Sequence, residues 1–483
     1  MPAASSRPNP FALGAAFAEV IVLPDLARSG GTDPGRALVG HDGQVGSAER
    51  AAELAAGLAG RGVDVELVGP CSMDALLAAA GALEAPGAMV AAEPGSGRPA
   101  GVLLVRADGR PVEPGSGLPA VLSHALAEPA AVESAAAETP GDGTIRLRPA
   151  LASYAELLRS LADLTRVRPL TVVVEAGHGV AALTVPAVLG TAVGLPALPL
   201  EIIVLSAGAA GDLGSAPAPH PSDPAHLLAL RAEVVARGAD LGLAFDADGD
   251  RVVVVDENGD LVSAAVVAML VGLREVERER REGAAPTVVL DRLLSEAAGD
   301  LLTAAGAAVV RSGGGGSSLR AAMAASGAVV GASPGLHYAF RDLYLADSGL
   351  LAAMHVLATL GSGGVPLSAF AEVYQPYAQS GEMEVPVDDV AAARARVVAA
   401  YVTRAGAGPV QVDAPDGGDA AAGLTVRHWA AAPRWWFDLR PGPAGTTVRL
   451  TVEAADEDIM EKVRDDVLAL VRAGDAPKTA NKE

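Results

Sequence analysis

A chain of 483 residues with 36 basic and 58 acidic side chains has a formal net charge of −22 and is long enough for two to four domains with filled cores. This charge argues against nucleic-acid binding, and a single cysteine, Cys71, excludes a disulfide framework and a cysteine-based zinc site. No uninterrupted apolar run reaches about 18 residues and no secretory signal begins the chain, so we expect a cytoplasmic protein without a membrane partner.

Strands and helices alternate three times over the first three quarters of the chain, which predicts three α/β units with mainly parallel sheets. In chain order, we predict a strand at 37–39, a helix at 47–61 and a strand at 63–68; strands at 170–175, 200–205 and 241–245 with a helix at 225–237; and strands at 287–290, 307–310 and 328–330 separated by helices at 293–305 and 317–326.

The remaining segments predict the limits of the domains. Residues 113–142 are rich in Pro, Ala, Gly and Glu and predict a boundary segment. After residue 375 the pattern changes to helices at 388–404 and 458–472 around strands at 424–426, 435–439 and 447–453, which predicts a smaller α+β domain. The four predicted domains span residues 1–142, 143–262, 263–375 and 376–483.

Three carboxylates alternate directly after the apolar strand predicted at 241–245. Asp246, Asp248 and Asp250 lie in the sequence Asp-Ala-Asp-Gly-Asp-Arg, and the Asn-Gly pair at 258–259 predicts a hairpin turn after the next apolar stretch. Oxygen-rich clusters of this kind suit a hard cation such as Mg²⁺. A solvated acidic turn is the alternative interpretation, but a buried strand anchors the loop more rigidly than such a turn requires.

This loop, together with residues 169–179 and 337–347, resembles the bacterial phosphomannomutase and phosphoglucomutase family, the α-D-phosphohexomutases. The resemblance covers nearly the whole chain and implies three similar α/β domains and a smaller fourth one around a central cleft. Active members pass a phosphoryl group between a phosphoserine and a sugar phosphate. The resemblance further implies that Asp246, Asp248 and Asp250 bind Mg²⁺, and that Arg251 lies beside the transferring phosphate.

A glutamate occupies the position of the family's phosphoserine. The family loop reads Thr-Ala-Ser-His-Asn-Pro after Gly-Ala-Met, whereas here Val-Ala-Ala-Glu-Pro-Gly-Ser follows Gly-Ala-Met, with Glu93 at the serine position. A carboxylate cannot carry the phosphoryl group by the phosphoserine route. Glu93 is either a charge that mimics the phosphoserine or a product of drift. Ser96 is a turn residue or, in a shifted loop, a replacement nucleophile.

The sugar-selecting loop of the family also differs. Ser333 and Gly335 stand where the family has a glutamate and a serine. Sugar hydroxyls left unpaired there cost about 1–3 kcal/mol for each buried group. His337 follows in the same loop and is either a substrate ligand or a structural residue.

Two loops of this chain stand at the positions of phosphate-binding loops in the family. Each retains one basic side chain and little else of the family pattern. In the last domain Arg440 remains, but the family's hydroxyl donors are replaced by the sequence Pro-Gly-Pro-Ala-Gly. In the third domain Arg320 substitutes for a lysine, after a glycine run at 313–316 that is either a flexible loop or a weak phosphate cradle.

These replacements predict a mutase relative in which phosphoryl transfer is absent or strongly impaired. Such a protein would bind a phosphorylated sugar or a related metabolite, or pair with an active mutase and regulate it, and the sequence does not choose between these roles. The alternative is an active phosphohexomutase that interconverts hexose 1-phosphate and hexose 6-phosphate, with its cleft rebuilt around Glu93 and Arg251.

Overall fold

The computed structural model describes residues 8–29, 35–91, 101–127, 143–205, 224–313, 316–405, 410–413, 423–442 and 445–473. The chain divides into two compact units, the first formed by residues 1–294 and 298–371, the second by residues 295–297 and 372–483. Within the described ranges, three five-stranded sheets lie in the first unit and one lies in the second.

The first sheet has one antiparallel strand at its edge and parallel pairs elsewhere, in the order β4-β3-β1-β2-β5. Its elements are α1 (Pro10–Phe17), a π-helical turn (Ala18–Val22), α2 (Leu23–Ser29), β1 (Arg36–His41), α3 (Ser47–Ala59), β2 (Asp64–Pro70), α4 (Met73–Ala82), β3 (Gly87–Ala91), β4 (Gly101–Val105), a 3₁₀ turn (Pro114–Ser116), α5 (Leu118–Ala127) and β5 (Ile145–Leu147).

Three helical parts of this domain were not predicted, and α4 is one of them. The continuous helical stretch from α1 to α2 has no counterpart in the predicted elements, and α5 lies inside residues 113–142, where the prediction of a boundary segment was wrong for that part. Val121 and Ala125 of α5, one helical turn apart, are buried in the core of the first sheet. Packing of apolar side chains therefore stabilises a helix in a segment whose composition is typical of a linker.

The stretch Pro10–Arg28 is long and apolar enough to cross a membrane by length and composition, with a mean hydropathy of 1.6. Half of it is buried, because α1 packs closely on α3: a Cβ atom on Gly57 would lie 2.0 Å from the Phe11 carbonyl oxygen. Two helices bent by 104°, Gly349–Ser362 and Leu367–Tyr374, pass the same test together. Buried core helices of soluble proteins have the same composition.

The second sheet, in the order β10-β9-β8-β6-β7, pairs β8 and β7 in parallel with β6 and adds an antiparallel hairpin. The predicted strands at 170–175 and 241–245 are confirmed at both ends, and Gly259 takes the left-handed conformation of the predicted turn. The elements are α6 (Leu151–Leu161), β6 (Leu170–Glu175), α7 (Ala181–Val188), β7 (Leu200–Val204), α8 (Pro224–Arg237), β8 (Leu241–Phe245), β9 (Val252–Asp256) and β10 (Leu261–Val262).

The third sheet has the order β12-β11-β13-β14-β15, with β12 and β13 parallel to β11. Helix α12 is buried along nearly all its length, as expected for a helix that is apolar on every face. The elements are α9 (Ala264–Arg281), β11 (Thr287–Asp291), α10 (Glu296–Ala304), β12 (Ala308–Ser312), α11 (Gly316–Ser326), β13 (Val330–Ala332), β14 (Tyr338–Phe340), a 3₁₀ turn (Arg341–Leu343), β15 (Ala346–Asp347), α12 (Gly349–Ser362) and α13 (Leu367–Tyr374).

The second unit contains an antiparallel sheet in the order β16-β20-β19-β18-β17. Trp436 of β19 is fully buried, and its indole N–H donates to Glu453 Oε1 at 3.1 Å. The elements are β16 (Ala378–Pro386), α14 (Val390–Ala405), β17 (Gln411–Asp413), β18 (Leu424–His428), β19 (Trp435–Pro441), β20 (Thr447–Ala454) and α15 (Glu457–Arg472). The predicted fold class, three α/β domains with mainly parallel sheets and a smaller C-terminal domain, is confirmed.

Candidate functional site

The aspartate loop follows β8, whose five residues are all buried. The loop turns through Gly249 in the left-handed conformation, with φ of +76°. The Asp246 carboxylate closes it by accepting the backbone N–H of Arg251 at 3.0 Å. A buried strand and this hydrogen bond therefore hold the loop at the carboxyl end of the sheet, where α/β folds bind ligands.

Burial and neighbouring carboxylates raise the pKa of two residues of the loop, Asp246 and Asp250. Burial is the main cause at both Asp246 and Asp250, and repulsion from Asp248 is the next. Asp347 and Asp74 add to the repulsion at Asp250. Ionisation of Asp246 and Asp250 is therefore less favourable than in water, and a bound cation would relieve this cost.

The donor chemistry of the loop fits Mg²⁺, which prefers oxygen ligands. Asp250 Oδ1 is buried and has no hydrogen-bond partner among the described residues. Over the same ranges, however, no group of three or more His, Cys, Asp or Glu side chains is arranged to hold a metal ion. The loop therefore supplies suitable ligands, but the three carboxylates do not converge into a finished coordination shell in this conformation.

Arg251 connects the aspartate loop with the loop after β13. Its Nε atom donates to His337 Nε2 at 3.0 Å and lies 3.7 Å from Asp246 Oδ2, and the two backbones form an antiparallel bridge. Because Nε2 of His337 accepts this hydrogen bond, the ring proton of the neutral imidazole is on Nδ1. Nδ1 lies 3.3 Å from Asp347 Oδ2, although not in hydrogen-bond geometry.

Asp347 links two predicted ligand residues. Arg320 Nη1 lies 3.3 Å from the same Asp347 oxygen that faces His337. Ser333 is buried, and its backbone N–H donates to the His337 carbonyl at 3.0 Å, which closes the turn between β13 and β14. The described structure therefore brings Arg251, His337 and Arg320 together through a carboxylate that the sequence prediction did not single out.

A cavity of about 710 Å³ adjoins this cluster, between residues 106–111, the end of α2 and one face of α11. Among the candidate residues, only Arg320 lines it. The arginines from the first domain are in ion pairs; Arg106, for example, lies 2.6 Å from Asp25. The cavity therefore lies beside the cluster and does not contain the aspartate loop.

Family models match three successive parts of the chain. The alpha/beta/alpha domains I, II and III of phosphoglucomutase/phosphomannomutase match residues 11–117, 152–259 and 265–377. A relative named phosphohexose mutases, from Xanthomonas campestris pv. campestris, is 30% identical over 93% of this chain and 95% of its own length. The chain belongs to the phosphoglucomutase/phosphomannomutase family.

Several solved structures have the same fold as this chain. Parafusin from Paramecium, in an open form, is 13% identical with a TM-score of 0.74 and covers 98% of this chain and 93% of its own. The Aspergillus fumigatus N-acetylphosphoglucosamine mutase in complex with GlcNAc-6P and magnesium is 13% identical with a TM-score of 0.51 and covers 94% and 80%. At these identities the structures show the fold alone.

Arg440, at the position of the family's phosphate cradle, is in contact with a carboxylate. Its Nη2 atom forms a hydrogen bond with Glu382 of β16, and Arg449 Nη1 lies 3.3 Å from the other oxygen of that carboxylate. Gly442 is packed so tightly that a Cβ atom there would lie 1.9 Å from Thr447 Oγ1. The positive charge of Arg440 is therefore offset within its own unit.

Three predictions from the sequence remain predictions. Glu93, at the phosphoserine position, and Ser96 lie outside the described residues, as does part of the glycine run at 313–316. Asp347 was missed, although it ends the segment 337–347 that carries the resemblance.

Proposed function

We propose that this protein binds a phosphorylated sugar, or a related phosphorylated metabolite, with the help of Mg²⁺ and transfers phosphoryl groups weakly or not at all. One contrast carries the proposal. The aspartate loop is held against the His337 loop through Arg251 at 3.0 Å, whereas the phosphoserine position is Glu93. The residues that we expect to bind the cation and the transferring phosphate are thus present, and the residue at the nucleophile position is replaced.

Each retained side chain has a role that its contacts support. Asp246, Asp248 and Asp250 would hold Mg²⁺, which when bound supplies positive charge for phosphate oxygens. Arg251 binds the phosphate through its guanidinium, whose orientation His337 and Asp246 support. The magnesium and GlcNAc-6P of the Aspergillus mutase complex fit the same class of cation and ligand.

We propose that residues of the third domain bind the sugar. We assign recognition of sugar hydroxyls or of a second anionic group to His337 and Arg320, both of which face Asp347. Ser333 offers a single short hydroxyl in place of a carboxylate, so discrimination between hexoses is expected to be poor. We place this activity in the cytoplasm, where sugar phosphates occur.

Two further residues support the proposal that phosphoryl transfer is weak or absent. Glu93 has no hydroxyl to carry a phosphoryl group. Arg440 is already in contact with Glu382, which lowers its attraction for a phosphate. It remains a prediction from the sequence that this protein pairs with an active mutase and regulates it.

Binding is tested by calorimetry with Mg²⁺ and then with mannose 1-phosphate, on the wild type and two variants. Asp248→Asn should weaken Mg²⁺ binding about tenfold, which corresponds to ~1.4 kcal/mol. Asp260→Asn removes one charge from a largely exposed side chain of the same domain and should leave the affinity unchanged. Equal Mg²⁺ affinity in all three proteins would overturn the proposed metal site.

Transfer is tested by incubating the protein with glucose 1,6-bisphosphate and measuring its intact mass. We expect no gain of a phosphoryl group. A stable gain of one phosphoryl group would favour the active phosphohexomutase, and fragmentation would then locate the new nucleophile.

A further inference from the structure

We infer that Asp74 is a positioning residue for the aspartate loop and acts on it through Ser348 and Gly349. Asp74 lies in the first turn of α4 and is 1% exposed. Its charge also contributes to the repulsion at Asp250. The inference goes beyond the proposed function, and only one of its three tests depends on Mg²⁺ binding.

The Asp74 carboxylate collects hydrogen bonds from three domains. The Tyr154 hydroxyl, on α6 of the second domain, donates to Oδ2 at 2.6 Å. The Ser348 hydroxyl, directly before α12 of the third domain, donates as well. Ser72 and the Ala75 backbone N–H donate from the first domain itself. A buried carboxylate satisfied in this way fixes the groups that donate to it.

Ser348 passes this constraint to the start of α12. It is fully buried, its N–H donates to the Tyr338 carbonyl at 2.9 Å, and its Oγ accepts the Leu351 N–H at 3.2 Å as the helix N-cap. The hydroxyl thus donates to Asp74 and accepts from the helix at the same time. The position of Ser348 therefore depends on contacts in both the first and the third domain.

The residue after Ser348 touches the aspartate loop directly. The Gly349 N–H donates to the Gly249 carbonyl at 3.1 Å. A Cβ atom on Gly349 would lie 2.5 Å from the Arg251 carbonyl carbon, so the two backbones are in close contact. A shift of Ser348 must therefore move or release the loop that carries Asp248 and Arg251.

The first test is hydrogen exchange of the peptide that contains Gly349, measured by mass spectrometry without added metal. Asp74→Asn should speed this exchange at least about tenfold, because its amide adds a donor where Asp74 accepts. Asp438→Asn is the matched control: Asp438 is also buried and accepts the Thr425 hydroxyl at 2.8 Å, but in the second unit. Exchange at Gly349 that stays at the wild-type rate in Asp74→Asn would overturn the inference.

A second pair of variants covers the case in which Asp74→Asn does not fold. Ser348→Ala removes the link to Asp74 and an N-cap, whereas Ser263→Ala removes only the N-cap of α9, where Ser263 accepts the Val266 N–H at 3.3 Å. Faster exchange at Gly349 in Ser348→Ala alone supports the inference. Equal exchange rates in the two variants would contradict it.

Mg²⁺ titration supplies the functional readout. Asp74→Asn and Ser348→Ala should each weaken Mg²⁺ binding, and the double variant should lose no more than the stronger single one, because both act through one contact. Additive losses would contradict the inference. If the wild type binds no Mg²⁺, the proposed metal site fails, while the exchange at Gly349 still decides the role of Asp74.

Discussion

At the position of the family's phosphate cradle, a nearby carboxylate offsets the positive charge that would attract a phosphate. Glu382 contacts Arg440 and lies 3.3 Å from Arg449, and its side chain is 40% exposed. An ion pair at this exposure contributes modestly, at about 0.2–1 kcal/mol. A phosphate that binds Arg440 must compete with this carboxylate.

Removing that competitor should strengthen phosphate binding. Glu382→Gln is expected to raise the affinity for inorganic phosphate about two- to fivefold, equivalent to ~0.4–1 kcal/mol, when measured by calorimetry. Glu461→Gln is the control, since Glu461 pairs with Arg464 at 3.3 Å on the surface of the same unit. Identical phosphate affinities in both variants and the wild type would show that Glu382 does not restrain Arg440.

Restoring the nucleophile should not restore turnover. Glu93→Ser is expected to show no mutase activity, because the sugar loop with Ser333 and the cradle with Arg440 also differ from the family. Measurable turnover in this variant would mean that the other loops still function. Glu93→Gln separates mimicry from drift: weaker Mg²⁺ binding supports mimicry, and unchanged binding supports drift.

The candidate residues that belong to a motif could be predicted from the sequence, but the residues that hold them in position could not. Asp246, Arg251 and His337 are recognisable because their spacing matches a family pattern. Asp74 accepts a hydrogen bond from Tyr154, which is distant in the sequence, so no local pattern reveals it. Asp347 lies in a matched segment, but its contacts with Arg320 and His337 are visible only in the folded chain. Burial of a carboxylate is a property of the folded chain, and the sequence around Asp74 is that of an ordinary helix start.

The contact between α12 and the aspartate loop depends on a glycine at the first position of the helix. Gly349→Ala would place a methyl group 2.5 Å from the Arg251 carbonyl carbon, a contact that requires backbone movement. We expect a loss of about 1–3 kcal/mol in the free energy of unfolding and weaker Mg²⁺ binding.

Gly364→Ala is the control for this prediction, because nothing lies within 4 Å of a Cβ atom there and the backbone needs no left-handed conformation. Both variants are compared by denaturant unfolding and by Mg²⁺ titration. A Gly349→Ala protein as stable as Gly364→Ala would show that the helix start and the loop separate without cost.

Strands formed by continuous apolar runs were predictable, whereas helices without a polar face were not. The strands at 170–175 and 241–245 are continuously apolar and end where predicted, because buried parallel strands need such runs. The helix that begins at Pro10 lacks a polar stripe and contains Pro24, so periodicity gives no signal. Helix α5 is rich in alanine, and only its packing distinguishes it from a linker.

At the scale of the whole molecule, the order of the domains is the feature that the sequence predicts best. Strand and helix alternation specifies three α/β domains, and the family models match residues 11–117, 152–259 and 265–377 in the same order. The net charge of −22 works against any anionic ligand unless Mg²⁺ or arginines offset it locally. The family is one of phosphoryl-transferring mutases, whereas Glu93 at the phosphoserine position leads us to propose that transfer is weak or absent.

The measurement that tests this account most directly is a mutase assay on the wild-type protein. The protein is incubated with mannose 1-phosphate, Mg²⁺ and glucose 1,6-bisphosphate, and the products are separated, with Asp248→Asn as the background. We predict no mannose 6-phosphate above that background. Sustained formation of mannose 6-phosphate by the wild type, absent from Asp248→Asn, would contradict the account and establish an active phosphohexomutase.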